Sequence, residues 1–438
     1  MGSGLELLFN MFGLRCRDWR KNLLLLCIGI VSVAAAAFAA DTAADLVFGK
    51  VHAEIAADIA DFRGVACMES VERTRYAPRR PNRNGTCGEL LAAVAGAPQG
   101  SVEWRSRLRL NVTAGASAEE FALTDASPFE RNDVGGMLGS ATAGSGEFST
   151  FLRNLIASDG APFQSRGLQQ TPLGKLLSFG FTVPVEKSHF GWGGNGAIHI
   201  AYRGSLLTTE SGELKQLAIE AENAGDACRV QYTTDYTNTR IGDREIVLPQ
   251  SSTLEVISKN GTELRSETYY SGCRRPVAVA AAPAAPGGNA PKPLPSKVRF
   301  RVRFQPPIDS STAATGDPVI GVVRATVKDR QNGIIVHVGD RLHGRIASIE
   351  ETFSPQPRWN IAIAFETIER GVGEHGIDQG VEQPVSLVPI DDGDRVPHDE
   401  ATGPGDLQMM RPPGGGYFIF HDPEVVLDQK FETEWETR

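Results

Sequence analysis

Two stretches of the chain, TGDPVIGVV (315–323) and VGDRLHGRI (338–346), follow the same pattern. Each contains a Gly-Asp pair, a variable residue, Val or Leu, a second variable residue, Gly, a third variable residue and a branched aliphatic residue. Glycine permits the positive φ that a tight corner requires. Because apolar segments flank each copy, Gly316 and Gly339 predict two equivalent corners of one small β-barrel.

The aspartate of each copy has a structural and a catalytic interpretation. The short side chains of Asp317 and Asp340 can accept hydrogen bonds from nearby backbone N–H groups and stabilise a turn. A paired catalytic role would need a carboxylate or histidine partner beside each aspartate, and none recurs beside both. Gly321 and Gly344, inside the following strands, indicate a bulge or a close backbone approach. These features favour the structural interpretation.

The rest of the C-terminal part has the pattern of strands. Apolar residues alternate with arginines over 298–304 and with polar or small residues over 359–365, which is typical of half-buried strands. The segment 391–416 is rich in Asp, Gly and Pro and is predicted to be a loop. The Gly-Asp pairs resemble the Gly-Asp box of cradle-loop β-barrels, the group that includes swapped-hairpin and double-psi barrels. The resemblance covers about 298–346 and implies a fold but no activity.

The N-terminal part combines helices with alternating strands. Apolar residues spaced by four, four and three from Val51 to Phe62 form one helical stripe, and a second helix is predicted at about 147–157. Most other segments alternate, beginning with 102–112. The sequence therefore predicts a mainly β chain with a few helices. Its parts are an N-terminal antiparallel half-barrel sheet with helices on one face, a linker and a small C-terminal β-barrel.

The order of an opening helix, a long antiparallel sheet and a crossing helix resembles the half-barrel of outer-membrane lipoprotein carriers, the LolA-like proteins, and of related periplasmic stress sensors. The resemblance is one of pattern, without a residue-level fingerprint. It implies an apolar cavity for acyl chains between the sheet and its helices. The aromatic residues that would line such a cavity are Phe121, Phe151, Phe179, Phe181, Phe190 and Trp192. The alternative is that these side chains fill an ordinary hydrophobic core.

Composition divides the chain into segments. Residues 276–295 consist almost entirely of Pro, Ala, Gly and Val, which is typical of an interdomain linker. The predicted domains are therefore 40–275 and 296–438. Residues 1–39 contain a basic segment, an apolar run and small residues before the expected cleavage point, the pattern of a secretory signal peptide. The alternative is that this segment is retained as a membrane anchor.

The cysteines beyond the leader indicate disulfide bonds. Cleavage would leave Cys67, Cys87, Cys228 and Cys273, and an even number of cysteines in an exported chain is typical of disulfides. Of the three possible pairings, proximity in the sequence favours Cys67–Cys87 with Cys228–Cys273. Four buried free thiols are the alternative.

Charge and missing motifs exclude several classes of function. The formal net charge is −9, and it is −11 when residues 1–39 are set aside, so nucleic acid is not expected as a partner. No HxH or HExxH spacing predicts a metal site, and no GxSxG segment predicts a serine nucleophile. The glycine-rich segments 191–196 and 412–416 do not fit the phosphate- or dinucleotide-binding templates. We therefore expect no cofactor, no metal and no enzymatic activity.

Two hypotheses about function follow. The first is a non-enzymatic envelope protein that binds a lipidic or lipoprotein ligand in the N-terminal half-barrel and docks an envelope protein through the C-terminal barrel. The second is a structural scaffold of a secretion or cell-surface assembly. Both place the protein in the periplasm or outside the cell, with membrane contact only through an uncleaved leader. An apolar cavity of at least ~300 Å3 in the N-terminal sheet would favour the first hypothesis, and a packed interior the second.

Overall fold

The computed structural model describes most of the chain between residues 48 and 438. Three predicted segments lie wholly or mostly outside it, namely the leader at 1–39, the linker at 276–295 and the loop at 391–416. The described ranges are 48–57, 59–62, 64–78, 85–115, 119–124, 148–192, 198–275, 294–329, 333–370, 381–390 and 415–438.

The mainly β class predicted from the sequence is confirmed, since strands greatly outnumber helices among the described residues. The helices are α1 (48–57 and 59–62), α2 (Cys87–Val94) and α3 (Thr150–Arg153), which continues as a π-turn over Asn154–Ser158. The strands up to the linker are β1 (Ala66–Tyr76), β2 (Val102–Ala114), β3 (Glu119–Leu123), β4 (Phe163–Thr171), β5 (Gly174–Val183), β6 (Gly191–Trp192), β7 (Ile198–His199), β8 (Tyr202–Thr208), β9 (Leu214–Glu222), β10 (Ala227–Ile241), β11 (Arg244–Ser258) and β12 (Glu263–Arg274). The strands beyond the linker are β13 (Arg299–Phe304), β14 (Ile308–Asp309), β15 (Pro318–Val323), β16 (Val327–Asp329), β17 (Gly333–Val336), β18 (Arg341–Thr352), β19 (Arg358–Arg370), β20 (Val381–Pro384), β21 (Leu387–Pro389), β22 (Gly415–Phe420), β23 (Val426–Leu427) and β24 (Glu432–Thr437).

The N-terminal strands form one long antiparallel run. Its order is β4–β5–β8–β9–β10–β11–β12–β1–β2–β3. Several of these strands alternate between buried and more exposed residues with a period of two. In β10, for example, Val230, Tyr232, Thr234 and Tyr236 are buried while the residues between them are partly exposed. This alternation gives the sheet one buried face and one wetter face.

Helices α1 and α3 cover the buried face of this sheet. Val51, Ile55 and Phe62 of α1 are almost fully buried, which confirms the apolar stripe predicted from the sequence. The predicted stripe of the second helix is also buried, with Phe148 and Leu155 each about 1% exposed. Together with the inner side chains of the strands, these residues form the N-terminal hydrophobic core.

The C-terminal strands surround a second core, which includes Phe304, Phe365 and Trp435. The pairings run β24–β13–β15–β18–β19–β22. Two short strands lead back from β19 toward β24, because β20 pairs with β19 and β21 pairs with β24. This return is not one continuous ladder, and no closed barrel is shown within the described residues. The predicted Gly-Asp-box barrel therefore stays a prediction.

The two Gly-Asp corners are related by reciprocal hydrogen bonds. Gly316 and Gly339 have φ values of +96° and +93°. The N–H of Gly316 donates to the carbonyl of Ile346, and the N–H of Gly339 donates to the carbonyl of Val323. Each acceptor lies seven residues after the other glycine. In return, the N–H of Ile346 donates to the carbonyl of Asp317, and the N–H of Val323 donates to the carbonyl of Asp340. The two corners thus have the same backbone conformation and the same pattern of hydrogen bonds.

The aspartate side chains hold these turns. Asp317 accepts from the N–H of Ala314 at 2.9 Å, and Asp340 accepts from the N–H of His337 at 2.8 Å. In each case the donor lies three residues before the aspartate. A carboxylate that accepts a backbone N–H within its own turn stabilises that turn.

One corner also joins the two parts of the chain. The backbone of Thr315 exchanges hydrogen bonds with that of β2, accepting from Arg109 at 2.8 Å and donating to Arg107 at 2.9 Å. The guanidinium of Arg109 lies 2.5 Å from the carboxylate of Asp317. Beside this contact, the end of β18 pairs with β2 at Glu350 to Thr352. The N-terminal and C-terminal strands consequently belong to one continuous 18-stranded sheet.

The predicted pairing of the cysteines was wrong. The disulfides are Cys67–Cys273 and Cys87–Cys228, with sequence separations of 206 and 141 residues. The first joins the beginning of β1 to the end of β12, its antiparallel neighbour. Proximity in the sequence was a poor guide because the sheet brings the two ends of the N-terminal part together.

Candidate ligand-binding interior

The structure places all six aromatic residues singled out from the sequence in the N-terminal hydrophobic core. Five are at least nine-tenths buried. Trp192 is partly buried, and its indole N–H lies 3.4 Å from the carboxylate of Asp226. The buried five are Phe121 on β3, Phe151 on α3, Phe179 and Phe181 on β5, and Phe190 just before β6.

Aromatic side chains that the sequence analysis did not single out connect these residues. The ring of Phe151 lies 5.0 Å from Phe190 and 4.8 Å from Tyr232, measured between ring centroids. Tyr202 lies 5.7 Å from Phe190 and 6.1 Å from Phe181. These separations are those of favourable edge-to-face pairs. The result is an aromatic chain that runs across the buried face of β5, β8 and β10.

The aromatic chain ends under α1. Phe48, at the first described residue of the helix, lies 4.6 Å from Phe163 and 5.2 Å from Phe179. Farther along α1, Phe62 lies 6.2 Å from Phe148. The helix therefore closes the aromatic interior on the side away from the sheet.

Two polar tethers of α1 are largely exposed to solvent, and a third, between the His52 ring and the carbonyl of Ile156 at 3.3 Å, is partly buried. Lys50 donates to the carbonyl of Ser211 at 3.0 Å, and Arg244 donates to Asp61 at 2.6 Å. Ion pairs at such positions contribute only about 0.2–1 kcal/mol. Apolar contacts, not these tethers, thus hold the helix over the core.

A buried carboxylate anchors the segment that carries Phe190. Asp159 is about 1% exposed. It accepts a hydrogen bond from the hydroxyl of Tyr202, and the Nδ1 atom of His189 lies 2.5 Å from its other oxygen. Burial, followed by the bond to Asp159, raises the pKa of Tyr202 well above its usual value. The phenol therefore stays protonated as a hydrogen-bond donor, which is a structural role and not that of a nucleophile.

The sequence could not have indicated this anchor or the aromatic partners. Asp159 lies in a helix-to-strand connection, 30 residues before His189 and 43 before Tyr202. One usable signal was missed elsewhere. Thr86 and Glu89 form a capping box that starts α2, and the T-x-x-E spacing of this motif can be recognised in a sequence.

The described residues contain neither a membrane-spanning helix nor a cluster of metal ligands. None of the helices they form is long and apolar enough to cross a membrane. Within the same ranges, no group of three or more His, Cys, Asp or Glu side chains is placed to hold a metal ion.

Comparisons with known proteins add two distant structural similarities. No protein-family model and no curated protein matches the chain. A LolA superfamily protein from Nitrosomonas europaea is similar over 51% of this chain and 92% of its own, with 10% identity and a TM-score of 0.23. A domain from Vibrio parahaemolyticus named for outer membrane lipoprotein sorting is similar over 52% of this chain and 93% of its own, with 9% identity and a TM-score of 0.26. Scores this low do not establish a shared fold, and neither similarity assigns a ligand to this chain.

Proposed function

We propose that the protein is an exported, non-enzymatic envelope protein whose N-terminal sheet binds an acyl chain of a lipid or lipoprotein. The observation that carries this proposal is the aromatic chain enclosed between the buried face of the sheet and α1. In this proposal the domain 40–275 binds the ligand, the linker spans 276–295, and the domain 296–438 docks an envelope partner. The two disulfides support an oxidising compartment such as the periplasm.

Binding would require α1 to move away from the sheet. In the structure Phe48 packs directly on Phe163 and Phe179, so an acyl chain would take the place of the helix against these rings. The exchange of one apolar surface for another conserves most of the burial energy, which scales with apolar area. The exposed tethers at Lys50 and Asp61 would offer little resistance.

The test is native mass spectrometry of the mature protein after mild extraction, followed by titration with a fluorescent fatty acid. We expect a co-purified acyl lipid and saturable uptake of the probe. Arg244→Ala removes a tether of α1 and should speed uptake by up to about fivefold, the factor that corresponds to ~1 kcal/mol. Arg240→Ala removes an exposed arginine of β10 that donates to the carbonyl of Gly242, and it should leave uptake unchanged.

A second function, that of a scaffold, is favoured by the packed aromatic interior of the N-terminal part and by the junction of the two parts. The pairing of β2 with β18 and the contacts of Thr315 hold two cores in one continuous sheet, which suits a rigid scaffold. A scaffold would give no lipid mass and no saturable uptake in any variant. That result would contradict lipid binding and favour a role in protein assembly.

A further inference from the structure

The partly exposed face of the N-terminal sheet carries a polar recess. It has a volume of about 310 Å3 and is lined by side chains of three neighbouring strands, β2, β1 and β12. In β1, Glu72, Thr74 and Tyr76 face this recess, whereas Val71 and Arg73, on either side of Glu72, are buried. The volume lies at the lower end of the range of small-molecule sites. The recess is therefore distinct from the aromatic interior on the opposite face.

Register places two arginines on either side of one threonine. Thr74 pairs with Arg105 of β2 and with Arg265 of β12. Neighbouring strands lie about 4.8 Å apart, so the two arginine Cα atoms are separated by about 10 Å, and all three side chains leave the same face. Guanidinium groups reaching inward from both sides can contact a single anion above Thr74.

Glu72, two residues before Thr74 on the same face of β1, and its paired residue Glu267 supply hydrogen-bond acceptors. Glu72 pairs with Arg107 on one side and with Glu267 on the other. Arg107 is already engaged, because it donates to Glu72 at 3.2 Å and to the carbonyl of Ser310 at 2.7 Å. The recess thus offers carboxylate oxygens beside its arginine-threonine row. Three arginines and two glutamates leave its lining with an excess of one positive charge.

Several N–H and O–H groups in the recess can donate further hydrogen bonds. The nearest carboxylate oxygen to Arg105, from Glu351, lies 3.5 Å away. The terminal nitrogens of Arg265 lie 2.7 Å from Glu267 and 3.7 Å from Glu255, while its Nε atom is buried without a partner among the described residues. Across those residues no group bonds the hydroxyls of Thr74 and Tyr76. Buried or half-buried donors of this kind are normally satisfied by a partner.

We propose that this recess binds an acidic sugar, that is, a small polyhydroxylated molecule with one carboxylate or phosphate group. The anionic group lies above Thr74 between Arg105 and Arg265, where a guanidinium can bond an oxyanion through two N–H groups. The sugar hydroxyls donate to Glu72 and Glu267 and accept from Tyr76. A neutral sugar leaves the remaining N–H groups of Arg105 and Arg265 without an anion, and a bare anion leaves the remaining lone pairs of Glu72 and Glu267 without donors. The recess therefore selects ligands that combine both features.

Isothermal titration calorimetry of the full-length mature protein tests the proposal. The probes are glucuronate and glucose 1-phosphate as acidic sugars, glucose as the neutral sugar, and acetate and inorganic phosphate as bare anions. We expect saturable binding of at least one acidic sugar, with glucose and the bare anions at least tenfold weaker. The preferred acidic sugar identifies the anionic group as carboxylate or phosphate. Binding should weaken as NaCl is raised, because the arginines are partly exposed.

Variants locate the site. Arg105→Gln and Arg265→Gln should each weaken binding about tenfold or more, since a hydrogen bond to a charged group is lost. Tyr76→Phe should have a smaller effect. Arg299→Gln is the matched control. Arg299 is an exposed arginine of β13, outside the recess, and it is bonded to a glutamate of the neighbouring strand β24. This variant should bind as the wild type does. The proposal is overturned if no probe binds saturably, if glucose binds as tightly as the acidic sugars, or if both arginine variants bind unchanged while circular dichroism shows them folded.

Discussion

Gly316 and Gly339 share a backbone conformation but have different surroundings. A Cβ atom added at Gly316 would lie 2.3 Å from the carbonyl oxygen of Arg109, whereas one added at Gly339 would meet no atom within 4 Å. At both positions the positive φ disfavours a side chain. Only at Gly316 does the glycine also allow the C-terminal part to approach β2. The glycine of the first copy, Gly316, therefore permits both the turn and the close approach to β2, whereas Gly339 of the second copy permits only the turn.

At the residue scale, we predict different costs for alanine at the two corners. Gly339→Ala should lower the free energy of unfolding by about 1–3 kcal/mol, the usual range for backbone strain of this kind. Gly316→Ala should cost more, because the added methyl group forces the corner away from β2. Urea unfolding of the mature chain measures both. Gly88→Ala within α2, where the glycine has neither a positive φ nor a close neighbour, is the control and should not destabilise. Equal midpoints for Gly316→Ala and Gly339→Ala would contradict this account of the junction.

At the scale of elements, the two disulfides attach different structures. Cys67–Cys273 links β1 to β12, which are already held together along their length by a ladder of hydrogen bonds. Cys87–Cys228 attaches α2 to β10. Around it lies a small separate cluster that includes Leu90, Val94 and Ile257. The helix has eight residues, which is too short to be stable alone, so it depends on this attachment.

We predict that removal of each disulfide has a different effect on stability. Replacement of Cys67 and Cys273 by serine should lower the global stability, by at most ~5 kcal/mol on the chain-entropy estimate for a loop this long. Replacement of Cys87 and Cys228 should in addition release α2 locally. Hydrogen exchange would show this as lost protection over 87–94 under conditions in which the sheet stays protected. Peptide mapping without reductant checks the pairing itself, and a peptide linking Cys67 to Cys87 would refute it.

At the scale of the whole molecule, charged groups are buried where the two parts meet. Glu350 of β18 pairs across the junction with Ser106 of β2. Burial raises the pKa of Glu350, and the neighbouring Arg73 and Arg75 oppose this shift. Burial likewise lowers the pKa of Arg73, against the attraction of Glu350. The junction therefore contains a carboxylate whose charged form is disfavoured by the fold.

This arrangement predicts a pH dependence of stability. Because the pKa of Glu350 is higher in the folded state than in the unfolded one, the folded protein binds more protons between the two values. The free energy of unfolding should therefore gain a contribution as the pH falls from the raised folded value toward about 4.3, the value of an unperturbed glutamate. Glu350→Gln should remove part of this gain, and Glu351, whose pKa burial also raises, should retain the remainder. Urea midpoints measured across this range provide the test, with the exposed Glu210→Gln as control. A slope identical in Glu350→Gln and wild type would refute the role of Glu350.

The sequence by itself determined the features that depend on local geometry. Alternation with a period of two predicted the strands, and the stripe from Val51 to Phe62 predicted α1, because these periods follow directly from backbone geometry. The Gly-Asp pairs predicted two equivalent turns, because the φ that glycine permits and the reach of an aspartate side chain involve only a few residues. The even number of cysteines and the signal-peptide pattern indicated that disulfides form. Neither feature indicated which cysteines pair.

Only the tertiary structure decided which distant residues meet. It paired Cys67 with Cys273, joined β2 to β18, brought Phe48 onto Phe163 and assembled the polar recess from three strands. The entropy of closing a loop grows only with the logarithm of its length. Closing a loop to a partner 200 residues away therefore costs only about 2 kcal/mol more than closing one to a partner 20 residues away. Proximity along the chain consequently carries little information about such contacts, and the packing of the two cores determines them.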